Sequence, residues 1–396
     1  MADKMGRAKQ LNPVDPAHER IAKKLKGFTP DFPEGLDLWL MSSSRPETKA
    51  FPVPDLVLFL LRNLMGWPWQ GPGEKKRWTV FGSIDGEPVG FELRKFGFTI
   101  LRSTDPKVPQ SRIVGQMQSA LKEVERLLEP YAEAQVNQGE VLIVNRFSEF
   151  EARYRFFRNL ADQAYAKAKK PPRRRRAKGG IVGETGGLVD QLNHVASASR
   201  EGFFHSTAMV DSYFSALEHR LVLLRAFTGK PLKRGELLEI MGSKWDDKLK
   251  AIVPVVGDKQ GELLLGRMRR IKERVRNPFA HGGVENDGGS LFFHLPHIGA
   301  IPANFSRFSD SVRFSFLPIE ADDHSETCVA FDELDAMLSQ GALVGPHRLV
   351  DAGVDPSFDS ETLKRYAAAV AGGAAELERF IRVWGHEWEC HANMDY

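Results

Sequence analysis

Cysteine is nearly missing from this 396-residue chain: only Cys328 and Cys390 occur. Two cysteines cannot build a disulfide framework, so the fold must come from apolar cores, and a reducing compartment is the default expectation. Long hydrophobic runs are missing too. The longest, Leu56–Leu61, falls far short of the roughly 20 residues that a bilayer span requires. The opening MADKMGRAKQ has no apolar signal core. The reading is a soluble cytoplasmic protein with no membrane partner.

Excess charge of one sign is also absent. The 55 Lys and Arg are nearly matched by 52 Asp and Glu, a net of +3, which excludes a broadly polycationic surface. The basic character is concentrated instead: residues 161–180 hold eight Lys/Arg against one Asp. Within it, Arg173, Arg174, Arg175 and Arg176 follow Pro171–Pro172 and precede glycines that continue to 187. Such a stretch reads as a solvated linker or as a tether holding nucleic-acid phosphates by charge.

Metal and nucleotide motifs fail on spacing. In HEWECH the histidines 386 and 391 lie five apart, whereas the helical zinc pair needs four. GETGG and FTGKP lack the phosphate-cradling pattern. EADDHSE (320–326) reads as an acidic loop facing water. The expectation is no metal and no cofactor. One loose match to metal-dependent nucleases exists in Asp55, Glu74 and Lys76, where two acids would hold Mg²⁺ and the lysine would assist water.

What is present suffices for two domains: 26 phenylalanines and 42% hydrophobic residues. Residues 1–35 are polar. PDLVLFLLRNLMGW (54–67) reads as a short buried helix closed by Gly66 and Pro68. Residues 77–103 read as a hairpin or three-strand meander around the Asp85–Gly86 turn. Helical periodicity returns at 110–129 and 147–168. In 206–228, Val210, Phe214, Leu217, Leu221 and Leu224 make a seam ending at Gly229. In 261–276, Leu264, Met268, Ile271 and Val275 form an apolar stripe opposite six cations. Strand-like runs follow at 290–295 and 312–319, and a long final helix is expected over about 360–389, beginning at Asp359/Ser360. The fold class is α+β: an N-terminal α+β domain (1–170) with an antiparallel hairpin or meander, a basic linker (171–187), and a mainly helical domain (188–396) with a β insertion at about 288–320.

RNPFAH fits Arg-x4-His, with Arg276 and His281 at its ends, but REGFFH (Arg200 to His205) fits equally well, so spacing alone does not choose. Context does. Arg276 ends a basic amphipathic helix, and Pro278 cannot donate a hydrogen bond back and disfavours helical geometry at Asn277. On an unbroken helix, residues five apart diverge by roughly 140° and ~7.5 Å. A bend can bring Arg276 and His281 to one cleft, and Gly282–Gly283 closes the turn.

This segment resembles the HEPN superfamily, whose ribonuclease members carry Arg, a polar residue, three more residues and His near the end of a helix; here those are Arg276, Asn277 and His281. Residues 211–227 look like the partner helix, with Glu218 as its polar contributor. The resemblance covers about 185–285 and implies a helical bundle, a homodimer and metal-independent endoribonuclease activity on RNA, tRNA or mRNA. It further implies a toxin or abortive-infection antiviral role with a regulatory or antitoxin partner. His281 would be acid or base, because imidazole titrates near neutral pH. Arg276 would grip phosphate, and Asn277 would orient phosphate or histidine. Lys272 and Arg269 lie one and two turns behind Arg276, a track for flanking phosphates. A non-catalytic dimeric HEPN scaffold that binds RNA or protein, and the Mg²⁺-dependent DNase, are the alternatives.

Overall fold

In a computed structural model the described residues are 16–33, 41–170, 184–255, 257–276, 291–305, 312–313 and 319–394. The chain forms two compact units, residues 1–136 with 382–396, and residues 137–381. The class is α+β, with the larger antiparallel sheet in the first unit and a helical region after it. No helix among the described residues is long and apolar enough to cross a membrane.

In the first unit the expected meander is β4 (Lys76–Ile84), β5 (Glu87–Arg94) and β6 (Gly97–Arg102). Asp85 and Gly86 both take positive φ, +50° and +82°, the backbone of a type I′ hairpin turn. Short strands complete the sheet: β1 (Phe28–Thr29), β2 (Ser42–Ser44) and β3 (Trp69–Gln70). The order is β1-β4-β5-β6-β2, with β3 also on β4.

Alternation along these strands sends Trp78, Val80, Val89, Phe91, Phe98 and Ile100 to one face. That face packs on α1 (Pro16–Lys24), on α2 (Asp55–Leu58) with the π-helical turn Phe59–Leu64 that continues it, and on α3 (Gln110–Gln138). On the opposite face Thr79, Glu92 and Thr99 stand side by side in register, and all three are buried. The Glu92 carboxylate accepts from the Thr79 hydroxyl at 3.1 Å and faces Lys76 and Arg94, which is how a buried charge is tolerated.

The second unit is built on α5 (Glu184–Phe227), a helix of 44 residues. The seam residues Val210, Phe214, Leu217, Leu221 and Leu224 are all buried, and Gly229 turns the chain away with φ +71°. Antiparallel to α5 lies α4 (Phe147–Ala168). Tyr154 meets Tyr213 and Phe150 meets His219. At Gly202 a Cβ would sit 2.7 Å from the Tyr165 ring, so the two helices approach where only glycine fits. This packing explains why the units divide at 136/137 and not at 170/171: α4 completes the second unit's core. Helix α5 also begins inside the stretch expected as linker, at Glu184; residues 171–183, with Arg173, Arg174, Arg175 and Arg176, lie outside the described residues.

Further helices follow: α6 (Glu236–Gly242), α7 (Trp245–Ile252), α8 (Lys259–Ile271), α9 (Ala321–Leu338), α10 (Val344–Asp351), α11 (Ser360–Ala371) and α12 (Gly373–Asn393), the last running on into the residues grouped with the first unit. The final helix expected over 360–389 is therefore two, parted at Gly372–Gly373, where Gly373 has φ +80°. Asp359 caps α11 as anticipated, accepting from the backbone of Glu361 and Thr362. EADDHSE is the opening of α9 and not a loop, because Glu320 and Asp323 form a reciprocal capping box. Between α8 and α9 the strands β7 (Leu291–Leu295), β8 (Gly299–Phe305) and β9 (Val312–Arg313) make a small antiparallel sheet.

Candidate active site

Helix α8 starts at Asp258, whose carboxylate accepts from the backbone N–H groups of Gln260 and Gly261. Its stripe Leu264, Met268, Ile271 and Val275 is buried as expected. The last turn, Lys272–Arg276, widens into a π-helix, a local geometry common at functional sites. Arg276 is the last described residue of this segment; Asn277 and His281 lie outside the described residues.

The Arg276 guanidinium meets the face of α5 formed by Asp211, Phe214 and Glu218, which recur at helical spacing. Its Nε donates to Asp211 Oδ1 at 3.2 Å, and its Nη1 stands 3.7 Å from Glu218 Oε1. Lys272, one turn back, reaches the same Glu218 oxygen at 3.3 Å. Between the two acids the Phe214 ring lies under both cations, 5.9 Å from Arg276 and 5.6 Å from Lys272, at cation–π distance. From α4, Arg153 comes within 3.8 Å of the other Asp211 oxygen. The residues predicted as partners, Arg276 and Glu218, are thus brought together. Asp211 and Arg153 escaped the sequence reading. Asp211 could have been found seven residues before Glu218 on one helical face, whereas Arg153 needs the α4–α5 pairing.

The predicted phosphate track is not equally available. Arg269 closes on Asp246 of α7 through Nε and Nη2, at 3.1 and 2.6 Å. Burial works against the Asp246 charge, yet Arg269 and Lys250 hold that carboxyl below its usual value. Arg269 therefore braces α7, while Lys272 stays at the Glu218 cluster. His219, beside Glu218, accepts from the Arg146 backbone N–H at 3.0 Å. Burial, then Arg146, push its pKa down.

REGFFH lies in the middle of α5 and not ahead of a helix. Arg200 and His205 are on an unbroken helix, where five residues separate their directions widely. The alternative nuclease residues also take other partners. Asp55 opens α2 and accepts from the Trp78 indole at 3.0 Å, and Lys76 pairs with Glu92 at 3.6 Å. Glu74 sits in the turn before β4. Among the described residues, no three His, Cys, Asp or Glu side chains gather as a metal site.

Two further polar clusters involve α5. Asp162, His324 and Ser206 stand in the order of a hydrolase triad, with 2.9 Å between His324 Nε2 and Asp162 and 3.0 Å between Nδ1 and the Ser206 oxygen. Ser206 is 1% and His324 3% exposed, so no substrate carbonyl can reach that hydroxyl in this conformation. Nearby, burial pushes the Cys328 thiol up to about 11, which makes it inert. The second cluster lines a cavity of about 140 Å³ bounded by Tyr154, Tyr213, Arg220, Asp335 and His347. Arg220 is buried and donates to Asp335 at 2.9 Å and to His347 Nδ1 at 3.2 Å.

No family model matches this chain, no curated protein matches it, and no solved structure matches it. A functional reading therefore rests on the residues themselves.

Proposed function

We propose that the second unit is a metal-independent endoribonuclease of HEPN type, acting on tRNA or mRNA as a homodimer, in a toxin or abortive-infection setting with a regulatory or antitoxin partner. The observation that carries this reading is the setting of Arg276: it ends a basic helix and rests, half-buried, on the Asp211–Phe214–Glu218 face of the neighbouring helix. That is the helix pair which the resemblance implies.

RNA brings its own nucleophile, the 2′-hydroxyl. In the proposed reaction His281 takes the 2′-hydroxyl proton. The 2′-oxygen then bonds to the adjacent phosphorus, the bond to the 5′-oxygen breaks, and the leaving oxygen takes a proton from the second subunit's acid. The products are a 2′,3′-cyclic phosphate and a 5′-hydroxyl. Arg276 holds the phosphate oxygens as charge builds on them, Asn277 orients phosphate or imidazole, and Glu218 fixes Arg276.

Purified protein should cut RNA in EDTA and leave the cyclic phosphate. Arg276→Ala and His281→Ala should each lower the rate by about 10²–10³-fold, the scale of one lost transition-state contact. Full activity in either variant removes the assignment. RNA binding without turnover places the protein among non-catalytic scaffolds, and cleavage that EDTA abolishes favours the nuclease read from Asp55, Glu74 and Lys76.

A further inference from the structure

The Arg276 cluster holds one arginine that neither helix packing nor the proposed chemistry has used. Arg153 projects from α4, its side chain 53% exposed, and among the described residues its ion-pair contact is to Asp211, loose at 3.8 Å. The contrast is Arg225, which is almost wholly buried and tied to the carbonyls of Lys230 and Pro231 and to Glu236. Arg225 is built into the fold, whereas Arg153 is placed beside the site.

Asp211 is what joins Arg153 to the site. One of its carboxylate oxygens accepts from Arg276 Nε at 3.2 Å, and the other faces Arg153. The Asp211 side chain is 43% exposed and that of Arg276 25% exposed, so solvent reaches the junction. A carboxylate and a phosphate diester offer a guanidinium the same acceptor geometry, two oxygens on one centre. The difference is in binding strength. An exposed ion pair of this kind is worth about 0–1 kcal/mol, so a chain of phosphates can displace it. Arg276 would not be cast loose by the exchange, because Glu218 faces it from the next turns of α5 and Phe214 lies beneath it.

We propose that Arg153 is a second phosphate-binding arginine of this site, and that Asp211 occupies both guanidinium groups until the backbone of RNA replaces it. The inference rests on the reading that this site takes RNA. It makes the binding surface a product of two helices, α4 and the end of α8, with Asp211 of α5 as the internal competitor between them. Arg153 binds and Asp211 positions; neither is assigned a proton transfer.

The test is binding, kept apart from cleavage. A fluorescently labelled single strand with 2′-O-methyl groups throughout cannot supply the nucleophile, and its anisotropy is read with the full-length chain across a salt series. Arg153→Ala should weaken binding about 3–10-fold and lower the salt slope by roughly one counterion. Arg153→Lys should restore most of it, since a point charge still meets a phosphate. Asp211→Asn should tighten binding a few-fold, because it removes the competitor. An unchanged slope in Arg153→Ala overturns the first half of the proposal. Weaker binding in Asp211→Asn, with an unchanged urea midpoint, overturns the second half and makes Asp211 a brace. If the wild-type chain binds no RNA, the reading of the whole site fails; if it binds and cleaves while Arg153→Ala is silent, only this inference does.

Discussion

Two polar clusters on α5, five residues apart in sequence, teach opposite lessons about geometry and function. Ser206, His324 and Asp162 have short hydrogen bonds in a catalytic-looking order, but the hydroxyl and the imidazole are sealed. Asp211, Arg276, Glu218, Lys272 and Arg153 have longer contacts, and solvent reaches them. A buried polar group must be paired or it costs stability, so tight pairing at full burial reports on folding. Loose pairing between half-exposed charges leaves them free to change partners.

The largest expected effect breaks the open cluster: Arg276→Ala loses about 10²–10³-fold in cleavage with little change in urea midpoint, measured side by side on one preparation. The mirror experiment breaks the sealed cluster. His324→Ala should cost about 2–4 kcal/mol in urea unfolding, from lost packing and an unpaired Ser206 hydroxyl. Cleavage below the melting range should stay unchanged. A loss of cleavage in that variant, with stability intact, would reverse the comparison.

A pH series sharpens it further. Burial pushes the His324 pKa down, outweighing Asp162, which pulls it up. His219 and His347 are pushed down too, chiefly by burial. A histidine depressed in the folded state binds more protons when unfolded, so the stability of keeping it neutral is full above its unfolded value near 6.5 and is lost as pH falls below it. The urea midpoint should therefore drop between pH 7 and pH 5, and His324→Gln should flatten part of that slope. Asp335 and Asp351, whose carboxyls burial raises, act in the opposite sense at more acidic pH. The smallest effect belongs to the surface: Arg267→Ala, which removes a 2.6 Å pair with Glu333, should change stability by less than about 1 kcal/mol.

Legibility in the sequence followed physical period. The Asp85–Gly86 hairpin, the seam of α5 and the apolar stripe of α8 were readable because a turn needs positive φ and a buried face repeats at fixed spacing. Residues 320–326 were misjudged because their acids serve the end of a helix, and His324 is covered by α4 and α5 from far away in sequence. The division at 136/137 was hidden for the same reason: nothing local in 147–168 says which core those residues join. Of the cluster, Arg276 was legible from helix-end chemistry and Glu218 only through the family resemblance, whereas Arg153 was not legible, since its place depends on the register of α4 against α5.

The length of α5 has a mechanical consequence. At 1.5 Å per residue, 44 residues make a rod of roughly 66 Å, and Asp211 lies on it about 40 Å from Glu184. A single continuous helix resists twisting far better than a jointed chain. The angle at which the Asp211 carboxylate meets Arg276 and Arg153 is therefore set by the seating of the whole rod against α4, through contacts such as Tyr154–Tyr213 and Phe150–His219, and not by the local turn alone.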